Sequence, residues 1–153
     1  MLNVSFQIFL FILAFAPLAF GTTEHWSMTI VQLLTGLSLL LCQAGLKREG
    51  EPLLKVPGLL PLCLLLVLMA GQLVPLPPGL IKIVSPSSWE AYRPVYELSG
   101  GDYWIPISVH QKETLQELLR ISAYALFYIL TIQVLRRGAR INRTLIFVAV
   151  LAA

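Results

Sequence analysis

The chain has 153 residues, of which 57% are hydrophobic and only 12% are charged, and its formal net charge is +3. Because soluble domains carry about 25% charged residues, this composition excludes a disordered chain, an ordinary nucleic-acid-binding domain and most soluble enzymes. It predicts an all-α polytopic membrane protein, since helices satisfy their own backbone hydrogen bonds in lipid.

Apolar runs of about 20 residues predict membrane spans, because that length of helix crosses a hydrocarbon core about 30 Å thick. A fifth run is shorter: ten residues of helix reach only about 15 Å. It predicts a truncated fifth span and hence the N-terminal piece of a longer protein, with a short interfacial tail as the alternative. Residues 1–153 are thus expected to form a single transmembrane module with four complete spans and an incomplete fifth, at about 2–20, 26–46, 56–76, 115–136 and 144–153.

The first apolar run also has features of a cleaved signal peptide, with small residues at Ala14 and Ala16. However, no Lys or Arg precedes the run, and Pro17 would directly follow the cut. We therefore expect a retained span.

A long outer loop, at about 77–114, is predicted between the third and fourth spans. It is rich in prolines, glycines and aromatic residues, and aromatic rings favour the headgroup region of a membrane. The loop is therefore expected to lie against the membrane surface. At its end, Thr114 and Glu117 have the spacing of a capping box, which predicts the start of the fourth helix.

The positive charges predict the orientation of the spans. Lys47, Arg48 and Lys55 follow the second span, and a cluster of arginines follows the fourth. Positive residues in short flanking loops favour the cytoplasm, so the amino terminus is predicted inside and the long loop outside. The cluster is better explained by such a loop than by nucleic-acid binding; its members are Arg136, Arg137, Arg140 and Arg143.

The histidines and cysteines do not indicate a metal site. His25 and His110 fall in predicted outer loops without a Cys, Asp or Glu at ligand spacing, which favours solvated interfacial side chains. Cys42 and Cys63 lie in apolar runs, so no disulfide framework is implied. No phosphate-binding loop or nucleophile motif is present. Catalytic residues therefore stay unassigned, and neither a metal nor a cofactor is expected.

Two arginines are candidates for binding an anionic carrier, Arg120 and Arg93. Arg120 lies inside the fourth predicted span, where an ionisable residue is costly and often functional. Tyr124, Tyr128 and Thr131 follow it on one helical face. The alternative for Arg120 is a side chain that reaches the outer interface and pairs with Glu117 or Glu113. For Arg93, the alternative is a surface charge among acids.

The second span carries a stripe of small and amide-bearing residues. Such residues let helices approach closely and form hydrogen bonds in lipid. Helix packing is therefore the favoured interpretation, with a substrate site as the alternative. The stripe consists of Thr29, Gln32, Gly36 and Gln43.

Three segments resemble bacterial O-antigen ligase and polymerase-type membrane proteins. The first has a Pro, a Phe-Gly pair and then Glu24, His25 and Trp26, similar to the first-loop signature of that family. The second resembles the end of the family's third span, and the third its approach to the fourth span, with Arg120 at a similar arginine position. The segments are 15–26, 72–78 with Ser85-Pro86, and 104–108 with Thr114, 118–120 and 123–124.

The resemblance implies a glycosyltransferase module in the bacterial inner membrane. Proteins of this family transfer a glycan from a polyprenyl diphosphate carrier to an acceptor on the outer face, without a nucleotide sugar or metal. The implied partners are membrane lipid, a polyprenyl-diphosphate glycan and the remaining spans of the full-length protein, and no nucleic acid. The family's essential residues lie in a second half that this chain lacks, so the fragment is expected to be inactive.

Two other functions are compatible with the sequence. A small non-enzymatic membrane protein could scaffold a complex through the same apolar helices. Part of a transporter is the third hypothesis, although transporters usually place charges near the middle of their spans. No ionisable residue lies there in this sequence.

Overall fold

The computed structural model describes residues 1–18, 25–98, 100–101 and 103–152, and for His25 the backbone alone. This part of the chain is almost entirely helical. Its elements are α1 (Leu2–Leu18), α2 (His25–Glu49), α3 (Leu59–Gly71), β1 (Pro75–Leu76), α4 (Pro78–Val84), α5 (Pro86–Leu98), β2 (Ile105–Pro106), α6 (Gln111–Val134) and α7 (Gly138–Leu151).

The chain forms two compact units. The first unit comprises Met1–Pro57 with Ser122–Ala153, and the second unit comprises Gly58–Ile121. The first unit contains α1, α2, α7 and the second half of α6, and the second unit contains α3 to α5, the two strands and the first half of α6.

The prediction of four complete spans is wrong. Among the described residues, two segments are long and apolar enough to cross a membrane, Trp26–Glu49 and Gln111–Val134, with 24 residues each. Helices α1, α3 and α7 have 17, 13 and 14 residues. At 1.5 Å per residue they reach about 26, 20 and 21 Å, less than the hydrocarbon thickness. The predicted end of the first span at 19–20 and the loop at 21–24 lie outside the described residues.

Backbone turns shorten the third predicted span at both ends. Gly58 adopts a left-handed conformation with φ of 70°, so α3 begins only at Leu59. After Gly71, Pro75 pairs with Pro106 and Leu76 with Ile105 in an antiparallel ladder. Two residues counted toward the apolar run therefore form a strand instead of helix.

The predicted outer loop is largely helical, because α4 and α5 occupy most of it. Pro78 and Pro86 stand in the first turns of these helices, where a missing N–H removes no helical hydrogen bond. Helix α6 begins at Gln111, so Thr114 is not its cap. The Thr114 hydroxyl instead forms a hydrogen bond with that of Ser108, with 2.7 Å between the oxygens.

Close antiparallel packing of α1 against α2 builds the core of the first unit. Ser5 Oγ donates to the Ser38 carbonyl at 2.8 Å, and Ser38 Oγ donates to the Ser5 carbonyl at 3.0 Å. A Cβ added at Gly45 would lie 2.7 Å from Leu2 Cγ. Leucine and phenylalanine side chains from α1, α2 and α6 complete the core; its buried members are Leu2, Phe6, Phe9, Cys42, Leu46, Leu130 and Val134.

The packing face of α2 differs from the stripe that the sequence suggested. Its fully buried polar side chains are Ser27, Thr35 and Ser38, while Thr29 is exposed. A Cβ added at Gly36 would meet no atom within 4 Å. Small residues do mediate the packing, but they lie on a neighbouring face of the helix.

In the second unit, aromatic side chains connect α5 to the segment that follows it. Tyr92 donates its hydroxyl to the Ser108 carbonyl at 2.7 Å, and Tyr96 donates to the Gly101 carbonyl. The Trp89 and Tyr96 rings pack edge to face at a centroid distance of 5.2 Å. These contacts order residues that a sequence pattern describes only as loop.

Candidate functional site

An apolar cavity of about 310 Å³ lies among α1, α2 and α6 within the first unit. This volume is at the lower end of the range for small-molecule sites. Among the described residues that line it, Tyr124 is the one with a polar side-chain group. The cavity is lined by Ile12, Leu13, Ala16, Pro17, Val31, Ala123, Tyr124 and Phe127.

Small side chains and a helix end leave this space open. Ala16 and Ala123 contribute only a methyl group each to the wall. Pro17 lies in the last turn of α1, which ends at Leu18. Phe127 fixes the opposite side, because its ring stacks on Phe9 at a centroid distance of 5.4 Å. The cavity can therefore hold a short hydrocarbon segment.

Arg120 forms an ion pair within its own helix. Its Nη1 lies 2.8 Å from Glu117 Oε1, and about half of each side chain is exposed. This is one of the two pairings considered in the alternative interpretation of Arg120. A partly exposed pair three residues apart contributes little to stability, so it leaves Arg120 able to exchange its partner for another anion.

The three hydroxyl-bearing residues that follow Arg120 along α6 make different contacts. Tyr128 donates to the Pro57 carbonyl at 3.0 Å, and Thr131 donates to the Phe127 carbonyl at 2.8 Å. Tyr124 lines the apolar cavity with more than half of its surface exposed.

Arg93 is a surface residue of α5. Its Nε lies 2.8 Å from Glu97 Oε1, and both side chains are largely exposed. The hydrogen bond that Arg93 donates to Glu97, followed by the charge of that carboxylate, raises the pKa of the Arg93 guanidinium above its ordinary value. Arg93 and Arg120 are thus each paired with a glutamate of their own helix.

His110 makes one contact that the sequence analysis did not anticipate. Its Nδ1 lies 3.1 Å from Glu113 Oε2, three residues later, so an acidic partner is present after all. Both side chains are exposed. Within the described ranges, no group of three or more His, Cys, Asp or Glu side chains could hold a metal ion. Cys42 and Cys63 are both free thiols.

The ends of α2 and α6 are joined by charged side chains. Arg137 Nη2 lies 2.7 Å from Glu49 Oε2 and 3.1 Å from Glu51 Oε1, and Arg136 Nη2 lies 3.1 Å from Glu51 Oε2. The hydrogen bond that Arg137 donates to Glu51, followed by the charge of Glu49, raises the pKa of Arg137. Half of the arginine cluster is therefore neutralised by the acids at the end of α2.

A buried arginine, Arg140, was missed by the sequence analysis as a separate site. It is 6% exposed, and its Nη2 donates to Asn3 Oδ1 at 3.3 Å. A signal was present in the sequence: Asn3 and Gln7 are amide-bearing residues four apart in a helix that is mostly apolar. Two amide side chains on one face of α1 favour a polar neighbour, and Arg140 of α7 is that neighbour.

Comparison with known proteins adds no relative. No protein-family model, curated protein or solved structure matches this chain.

Proposed function

We propose that this chain is the N-terminal membrane module of an O-antigen ligase-like glycosyltransferase, and that it holds the hydrocarbon tail of a polyprenyl diphosphate carrier. The apolar cavity among α1, α2 and α6 carries the proposal. Its almost wholly apolar lining suits an isoprenoid chain. Within the second unit, Arg120 and Arg93 are the proposed candidates for binding an anionic group.

Two of the segments that resemble the family are in direct contact, which supports the proposal. The segment after α3 pairs with the one before α6 through Pro75 with Pro106 and Leu76 with Ile105. The Ser108 amide also donates to the Gln72 carbonyl at 3.0 Å. Segments that lie about 30 residues apart in the chain thus act as one structural element, so their joint occurrence in the sequence has a physical reason.

Membrane residence is supported by α2 and α6. Each has an apolar window of which only about a third is buried, 33% in α2 and 28% in α6. The core helix of a soluble protein buries most of such a surface, because exposing it to water is costly. We propose that lipid and further helices cover these faces in a bacterial inner membrane.

We propose a multi-pass arrangement with the amino terminus in the cytoplasm. The ion pairs of Arg137 place the carboxyl ends of α2 and α6 together, so both helices would cross in the same direction. The basic residues at these joined ends favour the cytoplasm. A reporter that is active only outside should be active after Gly100 and silent after Gly50 or Gly138; the reverse pattern refutes this orientation.

The cavity can be tested with a photoactivatable polyprenyl diphosphate on the chain in proteoliposomes. Ala123→Leu fills the cavity from α6 and should reduce labelling severalfold. Ala149→Leu adds the same atoms to an exposed position of α7 and should leave labelling unchanged. Peptide mapping should place the label on α1 or α6. Equal labelling of both variants would refute the carrier site.

No transfer activity is expected from this chain alone. Glycan transfer needs groups that stabilise the departing diphosphate and a base for the acceptor hydroxyl. Among the described residues, the candidates Arg93 and Arg120 are each paired with a glutamate of their own helix, and His110 is paired with Glu113 three residues later. Turnover by the purified chain that disappears in His110→Ala would contradict this expectation.

A non-enzymatic scaffold is the second candidate function. The exposed apolar faces of α2 and α6 would suit partner helices as well as lipid. A scaffold requires no ligand in the cavity, so Ala123→Leu would leave partner association intact. Equal photolabelling of the unchanged chain and Ala123→Leu, together with retained association of Ala123→Leu with its partner, would favour the scaffold.

A further inference from the structure

A second cleft, separate from the apolar cavity, opens between α1 and α7 in the first unit. It has a volume of about 350 Å³, which is sufficient for a small ionic group. Polar and apolar atoms share its surface. The residues of this basic cleft are Asn3, Phe6, Gln7, Leu10, Arg140 and Arg143.

Arg140 places a buried positive charge in the basic cleft. It donates from Nη1 to the Val134 carbonyl and from Nη2 to Asn3 Oδ1, both at 3.3 Å. Its guanidinium carbon lies 5.4 Å from the centroid of the Phe6 ring. These partners are all neutral. Because a guanidinium has five N–H donors, two long hydrogen bonds leave donors available to a ligand.

The surroundings of Arg140 make an anion favourable there. Burial, followed by the positive charge of Arg137, lowers the pKa of the Arg140 guanidinium below its ordinary value. A buried charge without an ionic partner is costly. Glu49 and Glu51, at the end of α2, form ion pairs with Arg136 and Arg137 and not with Arg140.

Arg143 adds a second, exposed cation to the same cleft. It follows Arg140 by three residues and so shares its helical face. Across the cleft, Asn3 and Gln7 are four residues apart on one face of α1 and bring side-chain amides. In the described part of the chain, no ion pair joins Arg140 or Arg143 to a carboxylate. The cleft thus carries two positive charges that form no ion pair there, and the charges of Glu49 and Glu51 offset the lowering of the Arg140 pKa only in part.

We propose that the basic cleft binds a phosphate group, with Arg140 and Arg143 as its cationic ligands and the amides of Asn3 and Gln7 as further donors. Planar guanidinium groups match phosphate oxygens in pairs of parallel hydrogen bonds. The headgroup of an anionic phospholipid and free inorganic phosphate share this chemistry. The lipid is the expected source, because Phe6 and Leu10 give the cleft an apolar side suited to the start of an acyl chain.

The test is a binding titration of the full chain purified in a non-ionic detergent. The three ligands are short-chain phosphatidylglycerol, short-chain phosphatidylcholine and inorganic phosphate. We expect phosphatidylglycerol to bind more tightly than the other two. Equal binding of inorganic phosphate would support a phosphate site for a soluble anion. Equal binding of the two lipids, with no response to inorganic phosphate, would overturn the proposal.

Substitutions distinguish lipid binding in the basic cleft from general electrostatic attraction to the protein surface. Arg143→Gln should weaken phosphatidylglycerol binding about fivefold, the effect of one cation close to an anionic headgroup. The affinity of Arg143→Lys should lie between that of the unchanged chain and that of Arg143→Gln, because lysine keeps the charge and loses the planar guanidinium group. The matched control is Arg48→Gln, which removes an exposed arginine at the end of α2.

The comparison of Arg143→Gln with Arg48→Gln decides between binding in the basic cleft and general attraction to the surface. A loss of less than about twofold in Arg48→Gln supports the cleft, whereas equal losses in both variants overturn it. Arg140→Gln alters a buried side chain and can destabilise the fold, so Gln7→Ala serves as the second cleft variant. Circular dichroism should show unchanged helix content for every variant that is scored.

Discussion

Different interactions stabilise the interior of each of the two units. In the first unit, long helices pack through small residues and reciprocal serine hydrogen bonds between Ser5 and Ser38. In the second unit, short helices and a two-residue ladder are tied together by tyrosine hydroxyls that donate to backbone carbonyls. The first unit therefore depends on shape at a helix interface, and the second on individual hydrogen bonds.

The largest effect is expected where the first unit packs most tightly. Gly45→Ala forces a methyl group to within 2.7 Å of Leu2 Cγ and should lower the free energy of unfolding by about 1–3 kcal/mol. The matched control is Gly36→Ala in the same helix, where a Cβ meets nothing within 4 Å. It should raise stability by about 0.5–1 kcal/mol, since alanine favours helix over glycine. Unfolding by a denaturing detergent, followed by circular dichroism, measures both changes.

The opposite order, or equal effects of the two substitutions, would show that the helices do not approach closely at Gly45.

A smaller effect is expected in the second unit. Tyr92→Phe removes the hydroxyl that donates to the Ser108 carbonyl at 2.7 Å and should cost about 1 kcal/mol. Arg93→Gln, at the adjacent position, breaks only an exposed ion pair and should cost less than about 0.5 kcal/mol. Hydrogen exchange at the amides around Ser108 should accelerate in Tyr92→Phe alone. Acceleration in both variants would mean that α5 as a whole, and not this hydroxyl, orders the segment.

The smallest effect separates a paired from an unpaired hydroxyl on α2. Ser38→Ala removes one of two reciprocal hydrogen bonds to α1 and should cost about 0.6 kcal/mol, the average for such bonds between membrane helices. Thr35 is also fully buried, yet its hydroxyl has no hydrogen-bond partner in the described structure. Thr35→Val should therefore be neutral or slightly stabilising. A clear loss of stability in Thr35→Val would reveal a partner for that hydroxyl.

Much of the local structure could be predicted from the sequence. The uninterrupted apolar run after Trp26 becomes α2, and the run around Leu118 to Leu135 becomes most of α6. The ends were less predictable, because α6 begins at Gln111 and not at the capping box around Thr114. Hydropathy counts apolar residues without detecting where the backbone turns, so the third span was predicted too long.

The candidate sites were only partly visible in the sequence. Arg120 stands out because it interrupts an apolar run, but its pairing with Glu117 required the helix geometry. Arg140 looked like one of four loop arginines, and its burial depends on α7 beginning at Gly138 and packing on α1. The apolar cavity could not be predicted, since its lining residues come from three helices.

The sequence by itself determined the helical composition, the apolar character of α2 and α6 and the basic character of the ends of these helices. These properties follow from residue type and spacing, which act over a few turns of chain. Tertiary structure alone decided which face of α2 packs, where α3 ends and which arginine is buried. Each of these depends on a contact between distant segments, such as Gly45 with Leu2, Pro75 with Pro106, and Arg140 with Asn3. Local periodicity carries no information about such partners.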